Sequence, residues 1–207
     1  MTTIATLQEK IEALRALEAE REFGNVIVAP GPPLAEIPEL PAGTTEVFRQ
    51  FARLQGSNFL FKPPRQIRSP EAWQARLTDD FPLGENLQVG AEIFSRPEHL
   101  PGQTEEIEDK RGYGGAPVLM RIADGHVIYI DPEDYIAAYD DPDPSDILIE
   151  TFATDLATFF DQYVLGDRYP RLGDVVLGYG SADERHPRTG EYLDSWRRLL
   201  AAAGLAQ

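Results

Sequence analysis

Apolar residues recur along this chain with two periods, and each period predicts a different element. Helical spacing appears first in Ile4, Leu7, Ile11, Leu14 and Leu17, where Thr6 and Glu9 form a capping-box pair, so an amphipathic helix is expected over Thr6 to Arg21, ending near Gly24. A second helical stripe, Val47, Phe48, Phe51 and Leu54, follows Thr44 or Thr45 as N-cap and stops at Gly56-Ser57-Asn58. Phe59-Leu60-Phe61 then reads as a short strand. Ser69 at N-cap and Pro70 at the first helical position predict another short helix, with Trp73 and Leu77 turned inward. Period two takes over at Leu87, Val89, Ala91 and Ile93, a strand with one buried face.

The β-rich runs Ala116 to Ala123 and His126 to Ile130 flank Asp124-Gly125, a dipeptide suited to a type I′ turn, and predict a hairpin. Farther on, Ile147, Ile149, Phe152, Leu156, Phe159, Phe160 and Tyr163 fit one face of a long helix over Ser145 to Tyr163. The tail holds Val175-Val176-Leu177, a glycine-rich turn, and a last helix with Tyr192, Trp196, Leu199 and Leu200 on one face. Helices and strands in this order describe an α+β protein, and the 207 residues suffice for one well-filled core. No period of about twenty to fifty residues repeats, which argues against a solenoid.

Prolines divide the chain. Pro30, Pro32, Pro33, Pro38 and Pro41 remove backbone donors and fix φ between Ala29 and Gly43. The expected organisation is an N-terminal helix and lead-in at 1–28, a proline-rich linker at 29–43, and one domain at 44–207. Residues 97–110 form a polar, acidic loop, and 131–144 an acidic connection with room for a helical turn around Tyr135 to Tyr139.

Composition narrows the chemistry. The chain has no cysteine, which removes disulfides, thiolate metal ligands and thiol nucleophiles together. Met1 to Lys10 lacks the basic and apolar regions of a secretion signal, and no apolar run approaches the ~20 residues that span a bilayer, so the expected location is the cytoplasm. With 19 Lys and Arg against 35 Asp and Glu the formal charge is −16, a field that repels phosphate backbones and anionic headgroups and favours a basic protein partner. Between Ile122 and Asp167 stand twelve acids and no Lys or Arg: Asp124, Asp131, Glu133, Asp134, Asp140, Asp141, Asp143, Asp146, Glu150, Asp155, Asp161 and Asp167. Such a run is either a solvated face or a docking surface; the missing cations favour docking, because solvated faces usually interleave both signs.

Other candidate sites carry less. Gly112, Gly114 and Gly115 precede a strand, whereas phosphate-cradling loops follow a strand and open a helix. His99, His126 and His186 show no metal-ligand spacing. Asp141, Asp143 and Asp146 sit in a proline-broken loop whose carboxylates can converge on a hard cation, but the glycine and closing glutamate of a calcium loop are absent. No serine lies in a G-x-S-x-G elbow. No catalytic residue, metal site or cofactor is assigned. The residues expected to contact a partner are Asp131, Glu133, Asp134, Asp140, Asp141, Asp143 and Asp146, with Tyr135 and Tyr139 as aromatic anchors.

The order of features resembles the SUKH superfamily, the SMI1/KNR4-like proteins. The resemblance rests on Leu40-Pro41, the aromatic stretch Val47 to Leu54, Gly56-Ser57-Asn58-Phe59, the paired strands around Asp124-Gly125, and Phe152 to Leu165. It covers roughly Ile37 to Leu165, with Gly56-Ser57-Asn58 standing where that family has Asn-Gly. It implies a single α+β domain with a mostly antiparallel sheet flanked by helices. In many bacterial members it also implies a non-catalytic immunity protein that neutralises a toxin, often a nuclease. The alternatives are a metal-assisted hydrolase built on the carboxylates around Asp141 and Asp143, and a regulatory adaptor with no toxin partner.

Overall fold

The computed structural model describes residues 4–76, 84–93, 116–134, 136 and 147–206. Its centre is a seven-stranded antiparallel sheet in which every strand lies beside its neighbours in sequence: β1 (Ile27–Pro30), β2 (Phe51–Gln55), β3 (Phe59–Phe61), β4 (Asn86–Glu92), β5 (Pro117–Arg121), β6 (Val127–Ile130) and β7 (Ile149–Ala153). Antiparallel neighbours need only turns or short excursions between them, so a simple meander results. The described helices are α1 (Ile4–Glu20), α2 (Thr44–Phe48), α3 (Pro70–Gln74), α4 (Leu156–Phe159), α5 (Tyr169–Leu177) and α6 (Ser195–Ala202). None among the described residues is long and apolar enough to cross a membrane.

Alternation along the strands sorts side chains onto two faces. Phe59 and Phe61, Leu87, Val118 and Met120, Val127 and Tyr129 enter one large core with residues of the helices. Leu119, Ile128 and Ile130 form a smaller cluster, with Ile147 and Ile149 against it. The large core is dominated by aromatic rings. Phe160 lies 4.8 Å from Phe51, 5.7 Å from Phe61 and 5.4 Å from Phe159 between centroids, in the tilted and edge-on arrangements that ring quadrupoles favour. Gly90 pairs with Phe61 across β3 and β4, and a Cβ at Gly90 would lie 2.3 Å from the Phe61 ring. Glycine is therefore what lets Phe61 lie over the sheet.

The N-terminal helix is part of this core. Leu7, Ile11 and Leu14 are buried in it. Lys10 donates to the Asp161 carbonyl at 2.9 Å and its ammonium lies 2.7 Å from the Asp161 carboxylate. Arg198 of α6 donates to the Phe23 carbonyl at 2.8 Å. The expected separation of a helical lead-in and proline linker from a domain beginning at residue 44 is thus corrected: β1 is the first strand of the sheet, and Leu34, Ile37 and Leu40 of the proline-rich stretch are buried in the core. Proline is tolerated here because Pro30 ends an edge strand, where a missing N–H breaks no interior ladder.

Two expected helices prove to be a helix and a strand sharing a buried stripe. The stripe Val47 to Leu54 divides after Phe48: Gly43, not Thr44 or Thr45, is the N-cap of α2, and Phe51 to Gln55 pairs with β1 and β3. The segment Ser145 to Tyr163 likewise divides. Ile149 to Ala153 is β7, and Asp155 caps α4 by accepting from the Thr158 N–H at 2.8 Å. A register irregularity beside Val127 and Ile128 leaves Phe152 and Ala153 both buried, which mimics helical spacing. Thr6 lies inside α1 and does not cap it. The hairpin of β5 and β6 forms, but over a four-residue connection, Ile122 to Gly125. Gly125 donates to the Arg121 carbonyl at 2.8 Å and alone takes a positive φ, 78°, in place of a type I′ turn.

Candidate interaction surface

The acidic run 122–167 is divided by the fold into carboxylates that are used internally and carboxylates that are not. Arg121 donates to Asp124 at 3.0 Å, and this guanidinium holds the Asp124 carboxyl below its usual range. Glu150 on β7 meets Arg171 of α5 at 2.6 Å, Asp161 meets Lys10, and Asp155 serves as the cap of α4. Cations absent from the run itself arrive from α1, β5 and α5. Its single sign in sequence is therefore only partly kept in space.

Among the described residues, Asp131, Glu133, Asp134 and Asp167 are the acids of the run with neither an ion pair nor a capping role, and the first three stand together. They leave the end of β6 together. Asp131 and Glu133 are exposed and Asp134 is half-buried. Asp131 accepts the Glu133 N–H at 2.9 Å, which fixes the chain's exit from the strand, and no ion pair among the described residues involves any of the three. Tyr129 lies just behind them. Its phenol is pushed up to about 12, first by burial and then by the charges of Asp131 and Glu92. Glu92 accepts the Ala116 N–H at 3.3 Å, and partial burial raises its own carboxyl pKa. The other expected contact residues, Tyr135, Tyr139, Asp140, Asp141, Asp143 and Asp146, lie outside the described residues. So do the glycine patch at 112–115 and His99. Among the described residues, no group of three or more His, Asp or Glu is arranged to hold a metal ion.

A second polar constellation was not anticipated from sequence. Asp194, at the start of α6, is 2% exposed and collects donors from three parts of the chain. Tyr169 donates to it at 2.6 Å, Asn58 at 3.0 Å and Ser57 at 3.3 Å, while the Trp196 N–H donates at 2.8 Å as in an ordinary N-cap. Ser57 and Ser195 interlock: the Ser57 N–H donates to Ser195 Oγ at 2.8 Å, and the Ser195 N–H to Ser57 Oγ at 3.0 Å. Burial first, and then the Asp194 charge, raise the Tyr169 pKa well above the ordinary tyrosine value. Asp-Ser ahead of an apolar helical stripe signals the cap in sequence; nothing local signals that the β2–β3 turn is its partner. The hydroxyl and carboxylate oxygens of this seam are hydrogen-bonded within it, with Tyr169, Asp194 and Ser195 buried and Ser57 half-buried, so the seam ties the β2–β3 turn to α6.

An open groove of about 740 Å³ lies between the end of α1, residues 186–193 and α6. Part of its polar lining closes the chain on itself. Arg198 donates to the Leu193 carbonyl at 3.0 Å, and the His186 ring accepts the Thr189 N–H at 3.2 Å. No family model, curated protein or solved structure matches this chain. What fold and surface define together is a class: a single α+β domain with an antiparallel sheet, an outward carboxylate group at one strand end and, among the described residues, one deeply buried carboxylate, Asp194, held in a hydrogen-bonded seam.

Proposed function

We propose that this protein is a non-catalytic binding protein of the SUKH, immunity-protein type, which captures a basic protein such as a toxin nuclease through the acidic surface that begins at the end of β6. The observation that carries this reading is the outward group Asp131, Glu133 and Asp134, which meets no cation among the described residues where Asp124, Glu150 and Asp161 each receive one. Carboxylates held outward without neutralising partners raise the association rate of a cationic protein and set the salt dependence of binding. The resemblance to the SUKH superfamily supports the same reading. Against that family's expected helix from Val47 to Leu54 stands the observed helix and strand.

The test is a pull-down from lysate and culture proteins of the source organism at low and moderate salt, comparing wild type with a variant carrying Asp131→Lys, Glu133→Lys and Asp134→Lys. A stoichiometric basic protein retained by wild type at low salt and lost by the variant is the expected result. A partner bound equally well by both would refute the assignment of this surface. Cytoplasmic residence belongs to the same proposal, since a toxin nuclease is neutralised where its substrate is.

A further inference from the structure

The turn that forms one wall of the groove beside α6 is closed by a histidine. Arg185 and Tyr192 pair as an antiparallel bridge. Inside it the His186 N–H donates to the Glu191 carbonyl at 2.7 Å, and the Gly190 N–H to the His186 carbonyl at 2.9 Å. Pro187 stiffens the connection, and Gly190 takes the positive φ of 73° that ends it. The His186 ring lies across the mouth of this turn. Its Nδ1 is 3.2 Å from the Thr189 backbone nitrogen, 3.4 Å from the Arg188 backbone nitrogen and 3.3 Å from Thr189 Oγ1.

A backbone N–H can only donate, so Nδ1 is the bare nitrogen and the proton of the neutral ring sits on Nε2. Turns ordinarily place Asp, Asn or Ser at such a position, and their side-chain oxygens accept throughout neutral pH. Histidine accepts there only while it is neutral, because an imidazolium carries a donor on both nitrogens.

From this geometry we infer that the turn at 186–191 is a pH-sensitive element, closed while His186 is neutral and released when its Nδ1 takes up a proton. Protonation sets a third donor against two backbone donors, so the ring swings out or the turn opens. The hairpin itself presents Arg185, Arg188, Glu191 and Tyr192 to the ring's surroundings. Across the groove stand Arg21 and Glu22 from the end of α1 and Arg198 from α6. Glu22 and Glu191 offer an imidazolium new acceptors, while the arginines oppose its charge. Arg198 bounds the change. It donates to the carbonyls of Tyr192, Leu193 and Phe23, which keeps the base of the hairpin tied to α6 and to the chain after α1. His186, Thr189 and Glu191 line the groove, so its shape follows the turn.

The test is NMR on the isotope-labelled full chain across pH ~5 to ~8, where histidine changes charge. Imidazole nitrogen shifts identify the neutral tautomer. Solvent exchange of the Thr189 amide, corrected for the intrinsic pH dependence of exchange, reads the turn. The expected result is a proton on Nε2 at high pH and exchange at least about fivefold faster in acid, following the titration of the ring. His186→Asn keeps an acceptor the same number of bonds from the backbone but does not titrate, so exchange should stay slow throughout. His186→Ala should leave it fast throughout. His186 is exposed, so neither variant removes core packing. A neutral ring protonated on Nδ1, wild-type exchange that does not follow the ring, or the same pH dependence in His186→Asn would overturn the inference. No readout involves Asp131, Glu133 or Asp134, so the basic-partner proposal stands or falls separately.

Discussion

Asp194 and Asp131 are the same residue in opposite settings. Asp194 is sealed beneath the β2–β3 turn and receives hydroxyl, amide and backbone donors; Asp131 stands at the end of β6 in water, accepting one N–H from its own turn. A carboxylate removed from water must recover its solvation from fixed donors, so the surroundings of Asp194 are built around it. A carboxylate left in water needs nothing from the fold, and its field remains available to a partner. The seam at Asp194 therefore concerns stability, and the group at Asp131, Glu133 and Asp134 is where the proposed association is to be tested.

Substitutions should separate the two. The largest effect is expected for Asp194→Ala, which orphans the Tyr169 hydroxyl and the Asn58 amide and removes the cap of α6: about 3 kcal/mol, measured by urea denaturation. An unchanged midpoint would show that the seam does not depend on this carboxylate. Next comes Gly56→Ala, whose Cβ would meet Trp196 Cβ at 2.5 Å, an overpacking cost of about 1–3 kcal/mol. Tyr169→Phe keeps the ring and loses only the bond to Asp194, about 1 kcal/mol in the same assay.

Both tyrosines beside these carboxylates make stability fall in alkali. The Tyr129 pKa is raised from the ordinary 10.0 to about 12, and that of Tyr169 is also raised. Above the ordinary value the unfolded chain gives up protons that the folded chain keeps, so the unfolded state binds fewer and stability declines. The contribution of Tyr129 is complete below pH ~10 and is lost as pH rises through about 12. Denaturation midpoints across that window should fall less steeply in Tyr129→Phe than in wild type. The smallest change in stability is expected for the triple reversal at Asp131, Glu133 and Asp134, within about 0.5 kcal/mol, although the proposed function has it abolish partner binding. A large loss of stability there would mean that these acids are structural after all.

Elements with a decisive local signal were legible without the fold. Ser69-Pro70 opens α3, with Ser69 Oγ accepting the Ala72 N–H at 3.1 Å as its cap pattern predicts. The alternation Leu87, Val89, Ala91 gave β4, and Asp124-Gly125 located the hairpin, though not its four-residue turn, because only the Arg121–Asp124 pairing reveals how Asp124 is held. Illegible were the places where two periods fit one stretch. Val47, Phe48, Phe51 and Leu54 satisfy a helix, yet Phe51 to Gln55 is claimed by pairing with strands on both sides, which outweighs local spacing. The acidic surface was legible as composition, while its division into paired and unpaired carboxylates was not, since Lys10 and Arg171 reach it only across the fold.

By itself the sequence determined the absence of thiol chemistry, the strongly negative field, and most of the apolar residues that would be buried, because these depend on residue type and short-range pattern. Tertiary structure alone decided that α1 and the proline-rich stretch belong to the core, and that Ser57 and Asn58 complete the surroundings of Asp194. Each of these joins residues far apart in the chain. Such contacts are set by which surfaces can be removed from water together, and local preference carries no record of them.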